Sequence, residues 1–488
     1  MKRPHLARNE DGIAVLTVIF ASALMIILGG TMFLVAATTM ERATAETENS
    51  RALNTAEAGL ETTAAKIVAN PALANPYIDT LDDGSQFEVQ WSANVTGLPW
   101  WTLTSTGYHK IGAERWGKRT VTAQVFALNP WDFQYAGGMS GATVNGNVWV
   151  KGPFYVNDTL ELTGTAGVHG GPLIIYDTTG PGDGDLLLNS NSADIGSPGN
   201  NVALFIDGTV TNTAGSYYAD PVYRWAPALE FPELTEAQLN YYRWDNNGGS
   251  DPSPWLADVE RPVALLDVDT GVTTDKDTPL TLGRRTFVAK LNDNIKHANE
   301  ANPLVTFSKS GNHITIQFNN ATGVKPILFV DGNVTFGDNQ TTVSYTGIGT
   351  IVSSWNIAVK GSLAPSGSSL GSNETGALNG FPEQNALGLI AFNDAYYEGH
   401  TSDWLAAALY TGQQATFAQQ GNFKGSAVTR MLNLGVNVPH LYTQPGFSTK
   451  LPPRMPGDDA RINSIIGWTE LSPPSGGPAT MSTALPTP

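Results

Sequence analysis

The chain has 488 residues and a mass of 51.9 kDa, room for two or three folded units at roughly 150 residues each. Lys and Arg number 27 against 44 Asp and Glu, a net charge of −17, which excludes the basic footprint of a nucleic-acid binder. There is no cysteine, so disulfide frameworks, thiolate metal sites and cysteine nucleophiles are excluded together, while 41% apolar residues exclude a wholly disordered chain.

The first twelve residues hold Lys2, Arg3 and Arg8, with Glu10 and Asp11 just before Gly12. From Ile13 to Met40 no side chain ionises. The most apolar part, Ile13–Ala37, is long enough to cross about 30 Å of hydrocarbon as a helix. An ordinary cleaved signal has an apolar core of about 7–15 residues, shorter than this run. Basic residues in front and an acidic chain behind predict a single-pass membrane helix, N-terminus inside and body outside. The lipid bilayer is thus the first expected partner.

Beyond the membrane the helix is expected to continue. Leu53, Ala56, Leu60, Ala64 and Ile67 recur at helical spacing, one apolar stripe for packing. Asn70-Pro71 ends it, because a residue before proline disfavours the α region. One helix over Ile13–Ala69 would be about 85 Å long, with Gly29-Gly30 as its weak point.

Asp11-Gly12-Ile13-Ala14-Val15-Leu16, the apolar run, and the stretch Ser50–Glu61 with its block Ala56-Glu57-Ala58-Gly59-Leu60 resemble the PilX N-terminal family of type IV pilin-like proteins. The resemblance covers roughly residues 8–70. It implies a leader, 1–12, that a prepilin peptidase cuts between Gly12 and Ile13. It implies the inner (cytoplasmic) membrane as the location, with display on a pilus or the cell surface after assembly, other pilins or pseudopilins as helix-packing partners, and the inner-membrane assembly machinery. Most major pilins carry Glu at the fifth mature position, where it is thought to neutralise the N-terminal ammonium of a neighbouring subunit. Here Thr17 takes that place. A carboxylate buried without a partner is costly. A subunit inserted first has no neighbour above it and needs no such Glu. The K-type tip components of type II secretion lack it in a similar way.

From Gln86 to Leu128 the period becomes two: Phe87, Val89 and Trp91, then Leu103, then Val121 to Phe126. Three or four antiparallel strands are expected, with turns at Gly107 and Gly112. Trp100, Trp101, Trp116 and Trp131 read as core residues in or beside this sheet.

After Pro130 short β runs broken by Asn-Gly or Asp-Gly recur: Thr143–Val148, Leu204–Val210 and Leu328–Val334. They show no fixed spacing, so a strict repeat is not supported. An irregular right-handed β-helix fits them, with a β-sandwich as the alternative. The fold class is therefore α+β. A long transmembrane pilin-like helix (13–70) and small antiparallel sheet (71–129) precede a mainly β domain (130–471) with an insertion near 226–300. Within the insertion Glu236–Tyr242 reads as a short helix capped by Thr235. Residues 472–488, rich in Pro, Ser and Thr, read as disordered.

Catalytic signatures are weak. Seven scattered histidines lack metal spacing, and no HExxH or phosphate loop occurs. Gly367–Gly371 matches G-x-S-x-G by letter, yet lies in a Ser/Gly loop rather than between strand and helix. Asp267 and Asp269 hint at a calcium loop, but Thr278 stands where a bidentate Glu belongs. The expectation is a non-enzyme with no cofactor and no nucleic-acid partner. It is a minor pilin-like subunit of a type IV pilus or type II secretion pseudopilus that initiates or caps assembly. The alternative is an adhesin on the same anchor whose β domain grips a glycan or a surface; its ligand is not readable from the sequence. A tethered polysaccharide-active enzyme is the least favoured.

Overall fold

A computed structural model describes residues 10–471 except 71–72, 95–98, 112–114, 138–140, 178–183, 214, 236–238, 240–241, 243–262, 267–272, 275–285, 290–304, 321–326, 331–332, 338–341, 372–376, 435–439, 445–446 and 458–461. The chain forms two compact units. The first comprises residues 1–94, 101–126 and 465–488; the second comprises 95–100 and 127–464.

The first unit is one helix under one sheet. Helix α1 runs from Glu10 to Ala69 without a break, about 90 Å at 1.5 Å per residue. It starts before Gly12, so the Gly12–Ile13 junction lies in its first turn. It also passes through Gly29-Gly30 unbroken, where a weak point was expected. No proline interrupts the run, and hydroxyls along it bond back to their own helix. Thr31 Oγ1 donates to the Leu28 carbonyl at 2.9 Å, and Thr39 Oγ1 to that of Val35 at 2.7 Å. At the far end Asn70 N–H still donates to the Lys66 carbonyl at 2.8 Å, and Pro71 follows.

The sheet has the order β1 (Tyr77–Thr80), β2 (Gln86–Ala93), β3 (Trp100–Ile111), β4 (Arg115–Leu128), and a closing strand Ile462–Glu470. β1–β2 and β2–β3 are antiparallel. Alternation does the rest: Phe87, Val89, Leu103, Val121, Ala123 and Val125 are all buried.

Two corrections follow. The β body was expected to run to residue 471, yet its last strand belongs to the small sheet. Leu471 N–H donates to the Thr120 carbonyl at 3.0 Å, and Arg119 pairs with Glu470 at 3.1 Å. The run reads as a strand in sequence, but its partner lies more than 300 residues away, beyond any local pattern. Gly107 does not turn the chain either; it sits inside β3. Gly112 lies outside the described residues. Trp101 packs partly buried on the sheet core, and the Trp116 side chain lies outside the described ones. Trp100 and Trp131 are core residues of the second unit. Trp100 meets Phe205 edge-on at 4.9 Å, and Trp131 Nε1 donates to the Pro456 carbonyl at 2.8 Å.

The second unit is a coil of short strands in parallel ladders, the topology of a β-helix rather than of a sandwich. One ladder stacks Tyr135–Gly137, Phe154–Asn157, Leu173–Tyr176, Val202–Ile206 and Ala219–Tyr223. A second stacks Ala142–Val144, Leu160–Leu162, Leu186–Leu188 and Val210–Asn212. A third stacks Trp149–Lys151, Gly167–Val168, Asp194–Ile195 and Ser216–Tyr217. The Asn145-Gly146 and Asp207-Gly208 turns are corners between faces, while Asp331-Gly332 lies outside the described residues; Gly146 takes φ 81°, which glycine tolerates.

The later half coils in the same way: Val263–Leu266, Ile327–Val330, Ile348–Ser353, Ala386–Ala391, Trp404–Phe417 and Asn422–Leu434, all parallel. Its last turn then pairs with the first turn of the earlier half: Ala427 with Tyr135, Asn433 with Thr143, Leu441 with Val150. The two halves are one stack in which the C-terminal half comes first, and the chain enters it in the middle. Leu363, Leu405, Phe423, Leu441, Val150 and Val168 form one inward column across the seam. Corner residues chain together. Asn356 N–H donates to Asn333 Oδ1, Asp394 N–H to Asn356 Oδ1 and Gln414 N–H to Asp394 Oδ1, each at 3.1 Å.

The start of the 226–300 insertion straps this seam. Leu229 N–H donates to the Tyr155 hydroxyl at 2.9 Å, Tyr410 OH to the Pro232 carbonyl at 2.5 Å, and Arg430 pairs with Glu233 at 2.7 Å. A helical hydrogen bond of 2.9 Å links Leu239 N–H to the carbonyl of Thr235, the expected cap.

Candidate functional site

The site the sequence singles out is α1 itself. From Val15 to Met40 its side chains are exposed apart from a half-buried Ala37, with Phe20 at 71% and Phe33 at 75%. This is the one helix among the described residues long and apolar enough to cross a membrane. A continuous apolar surface of that size demands a covering. Thr17 is exposed on this run. Gly12 and Ile13 lie in the helix, their side chains outside the described ones. Residues 1–9 of the expected leader, and the expected tail 472–488, lie outside the described residues.

The outer half of α1 is buried on one face. Ala56, Leu60, Ala64 and Ile67 are fully packed, while Leu53 is only half-buried at the edge. The stripe read from sequence missed Ala52, Thr55, Gly59 and Thr63, which are equally buried. Apolarity was the signal used, whereas smallness was the relevant one. Ala56, Gly59 and Leu60 of the Ala56–Leu60 block face the sheet, and Glu57 and Ala58 are half-buried beside them. A Cβ on Gly107 would lie 2.2 Å from the Ala52 carbonyl oxygen and 2.4 Å from the Ala56 nitrogen, so β3 rests directly on the helix backbone. A Cβ on Gly117 would lie 3.0 Å from the Glu48 carbonyl oxygen, so β4 crosses nearly as close.

Polar groups fix the two ends of this contact. Near the membrane-proximal end His109 on β3 holds Nε2 3.1 Å from Glu48 Oε2 and Nδ1 2.6 Å from Ser85 Oγ. Both ionisable side chains are only 13% exposed. At the distal end Lys66 reaches Asp79 at 3.3 Å and the Tyr77 hydroxyl. Asp79 is held below the ordinary carboxylate range by the Tyr77 hydroxyl, then by the Thr80 N–H, then by Lys66.

The remaining candidates are placed elsewhere. Asp267 and Asp269 lie outside the described residues. Ser369, the serine of the Gly367–Gly371 match, lies in an isolated antiparallel bridge, its N–H donating to the Ala377 carbonyl and its carbonyl accepting from Ala377 N–H, each at 3.0 Å. His313 lies between the hydroxyls of Thr342 and Ser344, each at 2.8 Å. Among the described residues no group of three His, Asp or Glu side chains converges.

No family model matches the chain, and no curated protein matches it. Among solved structures, the chain is similar to the competence-associated pilin ComZ from Thermus thermophilus. Identity is 14%, with 87% of this chain and 98% of that chain covered, and the TM-score is 0.41.

Proposed function

We propose that this protein is a minor pilin-like subunit of a type IV pilus or type II secretion pseudopilus, held in the inner membrane by α1 and carrying its coil outward. One observation supports this most: a single unbroken helix whose first half is bare and apolar and whose second half is buried under a small antiparallel sheet. Bare apolar helix needs lipid before assembly and sister helices after it. The Gly12–Ile13 junction and the Ala56–Leu60 block give the resemblance to the PilX N-terminal family.

Within that reading the protein initiates or caps the filament. Thr17 in place of the usual Glu suits a subunit with no neighbour above it. A second unit running from residue 127 to 464 is also hard to repeat along a closely stacked shaft. The partners are other pilins, the assembly machinery and the prepilin peptidase, and the work is structural rather than enzymatic. Mass spectrometry of the N-terminus from envelope material tests this: the expected product begins at Ile13, usually methylated. An intact Met1 overturns pilin-type processing.

A further inference from the structure

The β3–β4 ribbon overhangs the membrane end of the small sheet. β3 runs down α1 toward its bare half: Gly107 rests on Ala52 and Ala56, and His109 reaches Glu48. β4 returns along it, with the Thr106 and Thr120 hydroxyls 3.1 Å apart and those of Thr104 and Thr122 3.3 Å apart. Gly117 on β4 lies over the Glu48 carbonyl. β2 begins only at Gln86, opposite Tyr108. Past that level β3 continues to Ile111, and β4 starts from Arg115, beyond the end of β2.

Heights along α1 say where the overhang leads. The bare apolar run ends at Met40. From Met40 to Glu48 is about 12 Å of helix. The two strand residues from His109 to Ile111 give back about 7 Å. Ile111 therefore stands about 5 Å above the level of Met40, and the headgroup layer beside the hydrocarbon is about 5–7 Å deep. With α1 spanning the membrane, the ribbon reaches the headgroups.

The ribbon is basic in an acidic chain. Over residues 110–119 the sequence carries Lys110, Arg115, Lys118 and Arg119 against Glu114 alone, where the whole chain has a net charge of −17. Arg119 is paired with Glu470 at 3.1 Å. Lys118 is exposed and has no ion pair among the described residues; its Nζ lies 5.6 Å from the centre of the Tyr108 ring. Trp116 follows Arg115 in the sequence, a residue type enriched at membrane interfaces. Of the carboxylates around the ribbon, Asp83 stands beside His109 at 3.9 Å and Glu88 opposite Thr106, both farther from the bilayer than Ile111. Glu48 is engaged by Arg51 and His109. Glu41 and Glu46 of α1 lie nearer, with Arg42 between them.

We propose that the β3–β4 ribbon docks on anionic phospholipid headgroups of the bilayer that α1 spans, with Lys118 and Arg115 supplying charge. The inference rests on the reading of α1 as a membrane helix. Position selects the occupant: α1 itself carries these cations to the height of the bilayer surface, and no soluble polyanion is placed there by the fold. The contact belongs to the membrane-bound state, and leaving the bilayer for a filament breaks it.

The chain has no cysteine, so a single one can be introduced and labelled. Full-length Ile111→Cys carrying a fluorophore is reconstituted, one copy per nanodisc, in phosphatidylcholine alone or with about a third phosphatidylglycerol. Headgroup-attached nitroxide is the quencher, and Thr102→Cys near the other end of β3 is the comparison. Quenching is expected at 111 and not at 102. The docked-to-undocked ratio should be higher in the anionic disc and should lose that excess at high salt. Lys118→Gln and Arg115→Gln should each lower the ratio about fivefold, with the near-UV spectrum unchanged. Should either perturb folding, the lipid and salt dependence of the otherwise unsubstituted protein carries the test. Quenching at 111 that is equal in both lipids, or indifferent to salt, overturns the proposal. So does shielding of the label that appears only with two copies per disc, whatever the lipid, which assigns the cations to a neighbouring subunit. A protein that enters neither bilayer overturns the reading of α1, and the proposal with it.

Discussion

Gly59 on α1 lies against the ring of Phe87 on β2: a Cβ at residue 59 would fall 2.6 Å from Phe87 Cγ. Phe87 is 1% exposed and has no free direction in which to retreat. Gly59→Val is expected to lower stability by about 2 kcal/mol, overpacking outweighing the gain in helix propensity. Gly107→Ala should cost about 2–3 kcal/mol, because the obstacle there is helix backbone rather than a side chain. Denaturant unfolding of the full chain in micelles measures both. Wild-type stability in both variants would mean that helix and sheet do not touch at these points.

The seam of the coil makes a separate prediction. Phe423 fills the inward column where the C-terminal half meets Leu441 and, through it, Val150. Phe423→Ala should cost about 3–5 kcal/mol. Limited proteolysis should then cut both halves together, since neither half's edge is covered without the other. Loss of only residues 263–434, with 135–223 resistant, would show that the halves are independent.

The Lys66–Asp79 end of the helix contact gives a pH dependence with a definite sign. The folded-state pKa of Asp79 lies below its unfolded value. Its contribution is therefore present above the ordinary carboxylate range and lost as pH falls through the lowered folded value. Asp79 and Lys66 are nearly half exposed, so the effect is small and screened by salt. Asp79→Asn should flatten the acid limb of stability against pH slightly and leave neutral-pH behaviour almost unchanged. A steeper acid limb in the variant would contradict the direction.

The legibility of this chain follows strand length. Helix α1 was readable because its periodic run is long, and β2 to β4 because Phe87, Val89 and Leu103 alternate over many residues. The coil strands are mostly three or four residues, too short for a period, yet their Asx-Gly corners marked a coil. Their stacking order was not readable. Tyr135 faces Phe154 and Phe154 faces Leu173, but the next step jumps to Leu204, so loop length hides the repeat. That Ala427 pairs with Tyr135 is a tertiary fact with no local signal. Gly107 misled because glycine marks both turns and close approach, and only its partner on α1 tells which.

Thr17 carries the last prediction. It lies on the bare apolar stretch of α1, on the fifth residue counted from Ile13. If the protein starts or caps a filament, Thr17→Glu places a carboxylate where no neighbouring ammonium meets it. A charge at the centre of a membrane helix costs about 2.5–3.5 kcal/mol on insertion scales, and less near an end. Insertion should therefore survive while filament number falls. Counting filaments by electron microscopy, with membrane-bound protein measured in the same cells, separates the two effects. Unchanged filament number with normal membrane insertion would remove the initiating role and leave the helix as an anchor.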